Sequence, residues 1–162
     1  MGRPYRAKTI AYYFLELGER DNVSISPMKL QKLIYFAHGW CLAITGEPLI
    51  EESVDAWMYG PVVADVYYEF KEFGAETIQG KKPDKIIQER LEALKKDKQT
   101  VQLIDKVWEI YGHYDAFKLS QMTHLPNTPW LKARSKTPEK LNVTIDDDSI
   151  REYFINTVQK NR

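Results

Sequence analysis

The chain has 162 residues, 43% of them hydrophobic and 28% charged, with 23 basic against 23 acidic side chains and no net charge. A chain of that length buries roughly 70% of the surface its unfolded form exposes, enough for one domain over residues 1–162. The composition excludes general disorder, the balanced charge argues against a general nucleic-acid binder, and one cysteine excludes an internal disulfide framework or a multi-cysteine metal site.

No apolar run reaches the roughly 20 residues that a membrane-spanning helix needs. The first residues, MGRPYR, hold no apolar segment of the signal-peptide kind, and Arg6 stands where a myristoylation signal requires Ser or Thr. A reducing, cytoplasmic setting is expected, with no membrane partner.

Residues 6–20 predict a first helix, with Ile10, Tyr13, Phe14 and Leu17 on one face. Residues 26–44, SPMKLQKLIYFAHGWCLAI, predict the longest helix and the spine of the core. Ser26 suits the N-cap and Pro27 the first helical position, where a missing N–H costs nothing. Met28, Leu30, Leu33, Ile34, Ala37, Trp40, Cys41 and Ile44 recur at three- and four-residue steps, and Phe36 widens that apolar face. Gly46 stops the helix and Pro48 prevents its restart.

At 54–59 apolar and polar residues alternate, which predicts a short strand. Gly60-Pro61 is expected to end it and open a helix with Val62, Val63, Val66, Tyr67, Phe70 and Phe73 on its apolar face. Gly80 to Pro83 reads as a loop. Residues 86–94 have helical periodicity, but their Lys and Glu content equally suits a solvated surface segment.

Residues 99–112 predict a helix, with Val101, Ile104, Val107, Trp108 and Tyr111 inward and Gly112 at its end. Asp115 is placed to cap a short helix. Thr128-Pro129 repeats the cap-plus-proline signal and predicts a brief turn carrying Trp130. Residues 142–145 suit a second short strand. Asp146 or Asp147 then caps a last helix through Ile150, Tyr153, Phe154 and Val158. The expected fold is mainly α, a compact single helical domain around a central buried helix (about 26–45), with one or two short β-strands.

Few residue sets offer chemistry. His38 and Cys41 lie three apart on the spine, but zinc needs three or four ligands and no others are evident, so packing and hydrogen bonding explain them better. Ser120 and His124 lie four apart, without the orienting carboxylate or nucleophile elbow that a nucleophile–base pair needs; capping of a helix end is the plainer reading. The aspartates at 146–148 lack the calcium-loop pattern and fit helix capping. Residues 81–98 carry seven basic and four acidic side chains, the pattern of a solvated face. Residues 57–62, WMYGPV, set large side chains on either face of a strand before a sharp turn. Trp and Tyr are common interface anchors, so this stretch is divided between core and docking roles.

Three blocks, MKLQKLIYFAHGWCLAITGEPL, DAWMYGPVVADVYYEFKEFG and KLSQMTHLPNTPWLKAR, together resemble the Panacea domain family, which includes the SocA-like antitoxins. The resemblance runs from about Ile10 to Phe154. It implies a compact, mostly helical domain of the kind carried on prophages and other mobile elements, with no cofactor and no catalysis. It also implies an antitoxin that neutralises a cognate toxin encoded nearby by direct protein–protein binding, in one branch as an adaptor delivering the toxin to a ClpXP-type protease. Family motifs carry over to Leu30, Lys32, Tyr35, Trp57, Gly60, Pro61, Thr123, His124 and Trp130. Many members have acidic residues between the Thr-His and Pro-Trp pairs, where this chain has Leu125-Pro126-Asn127-Thr128.

The expected partner surface comprises Trp57, Tyr59, Gly60, Pro61, Thr123, His124, Pro129 and Trp130. Two rival readings are a small-molecule binder or enzyme using His38 and His124, and a DNA-binding autoregulator. Balanced charge makes nucleic acid the weaker of these.

Overall fold

The computed structural model describes residues 2–140 and 142–160. The described chain is mainly helical. Its α-helices are α1 (Ala7–Asp21), α2 (Pro27–Thr45), α3 (Ala64–Phe70), α4 (Lys85–Lys96), α5 (Lys98–Tyr111), α6 (Ala116–Thr123), α7 (Pro129–Lys136) and α8 (Asp147–Lys160). A 3-10 turn at Lys71–Phe73 extends α3. Strands β1 (Val54–Trp57), β2 (Gly60–Val62) and β3 (Thr144–Ile145) form one antiparallel sheet in the order β2-β1-β3.

Local sequence explains most helix starts. The side chains of Ser26, Asp84, Asp97, Asp115 and Thr128 accept hydrogen bonds from backbone N–H groups in the first turns of α2, α4, α5, α6 and α7. Asp146 does the same for α8 through Ser149 N–H, at 2.7 Å. Each such cap contributes about 1 kcal/mol. At the far end of α2, Gly46 takes a left-handed φ of 77° and closes the helix onto the Leu42 carbonyl.

The spine is buried more completely than its apolar stripe implies. Every residue from 29 to 39 is buried, as are Cys41 and Leu42. Helices α1, α5, α6 and α8 and the β1–β2 hairpin all pack around it, α8 most extensively. Phe36 stacks on Tyr111 of α5, with ring centroids 4.4 Å apart, and Phe154 of α8 meets Tyr35, Phe36 and Trp40 edge-on. Gly39 permits that approach, because a Cβ there would collide with the Phe154 ring. By contrast Met28 and Ile44, at the two ends of the expected stripe, are exposed. The helix outruns its cover at both ends.

Three expectations change. Gly60-Pro61 does not open a helix: Gly60 to Val62 pair with β1 as a strand, so Val62 belongs to the sheet and α3 starts at Ala64. Trp130 rides on the eight-residue helix α7 instead of a brief turn. Residues 86–94, left open between helix and surface segment, lie within α4, where Ile87, Leu91 and Leu94 face the core.

Candidate functional site

Hydrogen bonds from the first family block, on α2, hold the hairpin formed by the second. Residues Trp57 and Gly60 are register partners across a turn made by Met58 and Tyr59. Lys32, one helical turn before Phe36 on the spine, reaches under that turn. Its Nζ donates to the carbonyls of Tyr59 at 3.2 Å and Pro61 at 3.4 Å. Gly60 has a φ of 120°, and a Cβ there would lie 2.7 Å from Lys32 Nζ and 3.3 Å from Thr123 Oγ1. A side chain would therefore push the turn off its lysine.

Lys32 is only 1% exposed. Its hydrogen-bond partners are neutral carbonyls, and burial pulls its pKa from the ordinary 10.5 down to about 8. Beside it, Gln31 clamps the β2–α3 junction with both ends of its amide: Oε1 accepts from Val63 N–H at 2.9 Å and Nε2 donates to Val63 C=O at 3.0 Å. Lys29 uses its ammonium on the Gly112 carbonyl at the end of α5. The KLQK run thus places three buried polar side chains on three separate backbone segments.

The third block closes over the same hairpin. Trp130 Nε1 donates to the Trp57 carbonyl at 2.6 Å, and the Trp130 ring meets His124 with centroids 4.0 Å apart. Arg134, one turn further along α7, donates to the Ala56 carbonyl at 3.3 Å. His124 Nδ1 and Thr123 Oγ1 both donate to the Ser120 carbonyl, at 2.6 and 2.7 Å. A carbonyl only accepts, so the proton sits on Nδ1. His124 therefore reaches the backbone of Ser120, not its hydroxyl, and the pair is a helix-end cap without a nucleophile–base link.

The eight expected site residues come together, but they are not equally accessible. Gly60, Pro61, Thr123 and Pro129 are buried, whereas Trp57, His124 and Trp130 are half-buried. Tyr59 projects, 69% exposed, next to Met58 at 64%. Tyr67 meets Trp57 edge-on and Tyr68 in turn meets Tyr67, continuing an aromatic strip from the turn onto α3. The Trp57 indole N–H is buried and has no hydrogen-bond partner among the described residues. Sequence reasoning assigned no role to the side chains of Gln31 and Arg134. An amide or guanidinium whose partners are distant backbone groups leaves no pattern in the sequence.

His38 lies elsewhere. Its side chain is fully buried on α2, where Nδ1 accepts from Leu49 N–H at 3.3 Å and Nε2 faces Asp147 Oδ1 at 2.9 Å. The Leu49 donor leaves Nδ1 unprotonated, so Nε2 carries the proton and donates to Asp147. Cys41 is buried beside Thr45. Both are tied into packing, and among the described residues no cluster of three or more His, Cys, Asp and Glu side chains is placed to hold a metal. Among the described residues no helix is long and apolar enough to cross a membrane.

The sequence model of the family described as "Antitoxin SocA-like, Panacea domain" matches residues 30–131, a span that takes in the second block whole and most of the first and third. Antitoxin SocA of Caulobacter vibrioides (strain NA1000 / CB15N) is 32% identical over 127 residues, which cover 76% of this chain and 68% of that protein. No solved structure matches. On its matched span and on this relative, the chain belongs to the SocA-like antitoxin, Panacea domain family.

Proposed function

We propose that this protein is the antitoxin of a toxin–antitoxin system and that it neutralises its toxin by stoichiometric binding rather than by turnover. The reading draws on the family and on the relative's name. The observation that carries it furthest is the convergence of Trp57, Gly60, Thr123, His124 and Trp130 around one hairpin that ends in exposed Met58 and Tyr59. In this reading the hairpin tip and the 123–130 segment form the surface that meets the toxin. The buried members set its shape and Tyr59 makes the contact. A standard interface of roughly 800 Å² per partner would reach well beyond the turn.

The test is co-expression with the reading frame adjacent to this one. Its product should arrest growth alone and be silenced by the wild-type protein. Tyr59→Ala should weaken the purified complex roughly thirtyfold, the effect of losing an anchor worth about 2 kcal/mol, while leaving the melting transition in place. His124→Ala should also weaken it. Unchanged binding in both variants, with both folded, removes this surface from the interface. A ClpXP-type protease, in this reading, acts downstream of the same complex, so neutralisation that persists in a strain lacking the protease assigns the activity to occlusion alone.

A further inference from the structure

One imidazole joins three segments of the chain. The His38 side chain is fully buried on the spine. Its Nδ1 accepts from Leu49 N–H at 3.3 Å, and its Nε2 donates at 2.9 Å to Oδ1 of Asp147, the first residue of α8. The Leu49 residue carries the link onward. Its carbonyl accepts from Tyr5 N–H at 2.8 Å, and Glu51 N–H donates to the Tyr5 carbonyl at 2.9 Å, so that Tyr5 bridges to Ile50. Arg3 adds an ion pair to Glu47. Residues 3–6 thus form a strap before α1 that is held by the loop at 47–51, and His38 ties that loop to the spine.

The two ring nitrogens are committed to opposite roles. A neutral imidazole offers one acceptor and one donor; Leu49 takes the first and Asp147 the second. A further proton can enter only at Nδ1, where it would face the Leu49 N–H, donor against donor. The cation and the Leu49 bond therefore exclude one another, whereas the Asp147 carboxylate holds a cationic ring more strongly than a neutral one. Other titratable and charged groups on the surrounding segments have partners of their own. Arg151 of α8 donates to the Leu42 carbonyl, and the Tyr111 hydroxyl of α5 accepts from Trp40. The hydroxyls of Tyr5, Tyr12 and Tyr13 go to Asp97, Glu69 and Asp105. Among the described residues Asp147 is the charged side chain hydrogen-bonded to His38.

We propose that His38 is a proton-operated latch on the strap. In its neutral form it anchors Leu49, and through Leu49 the Tyr5 backbone. Protonation exchanges the Leu49 bond for an ion pair with Asp147. Helix α8 stays docked on the spine, while the buried Leu49 N–H is left without its acceptor, a loss that favours opening of the 47–51 loop together with the strap. Histidine is the side chain whose charge changes in the range where such a latch would work. The latch acts on the chain's own first segment and is independent of the docking surface proposed above.

The test is amide hydrogen exchange on the full chain between about pH 7.5 and about pH 5.5, read as protection factors corrected for the intrinsic rate, with imidazole 15N shifts recorded alongside. Over this range His38 should become cationic while Leu49 and Tyr5 lose at least about tenfold in protection. Ile78, whose N–H donates to the Ile25 carbonyl, should keep its protection. Asp147→Asn retains an oxygen acceptor for Nε2–H and removes the charge, so both the cation and the loss of protection should move to lower pH. His38→Gln should give a Leu49 protection that does not change with pH; should that variant fail to fold, the Asp147→Asn comparison carries the test. A ring that stays neutral down to about pH 5.5, or one that titrates while Leu49 and Tyr5 stay protected, overturns the latch. An equal loss at Ile78 overturns it as well, because the whole fold would then be opening. Titration of Asp147→Asn at the wild-type pH overturns the part given to Asp147.

Discussion

Lys32 shows how one residue holds the site together at a cost. Its ammonium lies beneath the turn, with carbonyl partners in place of a carboxylate, and burial keeps its pKa near 8. A lysine whose folded-state value lies below its unfolded one lowers stability wherever both states are protonated, which here means below about pH 8. As pH rises from about 8 toward 10.5 the folded protein sheds the proton first, so stability rises across that window. The gain is on the order of 3 kcal/mol. Lys32→Met removes this titration. The stability of wild type minus that of the variant, from urea unfolding, should therefore increase between about pH 7 and about pH 10. A difference that stays flat would mean the ammonium is not desolvated. The KLQK spacing placed Lys32 on the spine, but nothing local marked it as buried. A lysine on a helix is ordinarily solvated, and only the hairpin arriving from 27 residues later covers this one.

At the scale of elements, α8 makes the most extensive contact with α2. Gly39 faces Phe154 with no room for a methyl group. Gly39→Ala lies mid-helix, where alanine is the better helix former by about 1 kcal/mol, so a loss must come from packing. Overpacking of this kind costs about 1–3 kcal/mol, which should lower the urea midpoint. Adding Phe154→Leu should recover part of the loss, since the two positions touch and couple. A Gly39→Ala variant as stable as wild type would show that α8 can slide away freely. The helices themselves were legible because capping and periodicity are local: Ser26 and Asp115 each cap the helix they predict. The hairpin was not. Gly60-Pro61 carries the signature of a helix start, and a strand of three residues has too few positions to show alternation. It exists because β1 offers it a partner, with Ala56 and Trp57 opposite Pro61 and Gly60.

For the molecule as a whole, the spine is the wall against which α1, α3, α5, α6, α8 and β2 pack. Leu33 is fully buried at its middle. Leu33→Asp would put an unpaired carboxylate there, costing several kcal/mol against a total stability of roughly 5–15 kcal/mol. We expect the chain to unfold as one unit, with loss of far-ultraviolet helical signal and of toxin binding together. Tyr59→Ala should separate the two by losing binding alone. Survival of α8 and α5 structure in Leu33→Asp would mean that the molecule is divided into independently stable parts.

The amino-acid sequence by itself determined the mainly helical class, the central helix and its caps, and the three motif blocks that mark the family. All of these rest on interactions between near neighbours along the chain or on patterns carried in the residues themselves. Tertiary structure alone decided which polar spine residues are buried, that residues 60–62 are a strand, and that the three blocks close on one hairpin. Each of these depends on contacts between residues far apart in sequence, such as Lys32 with Pro61 or Trp130 with Trp57.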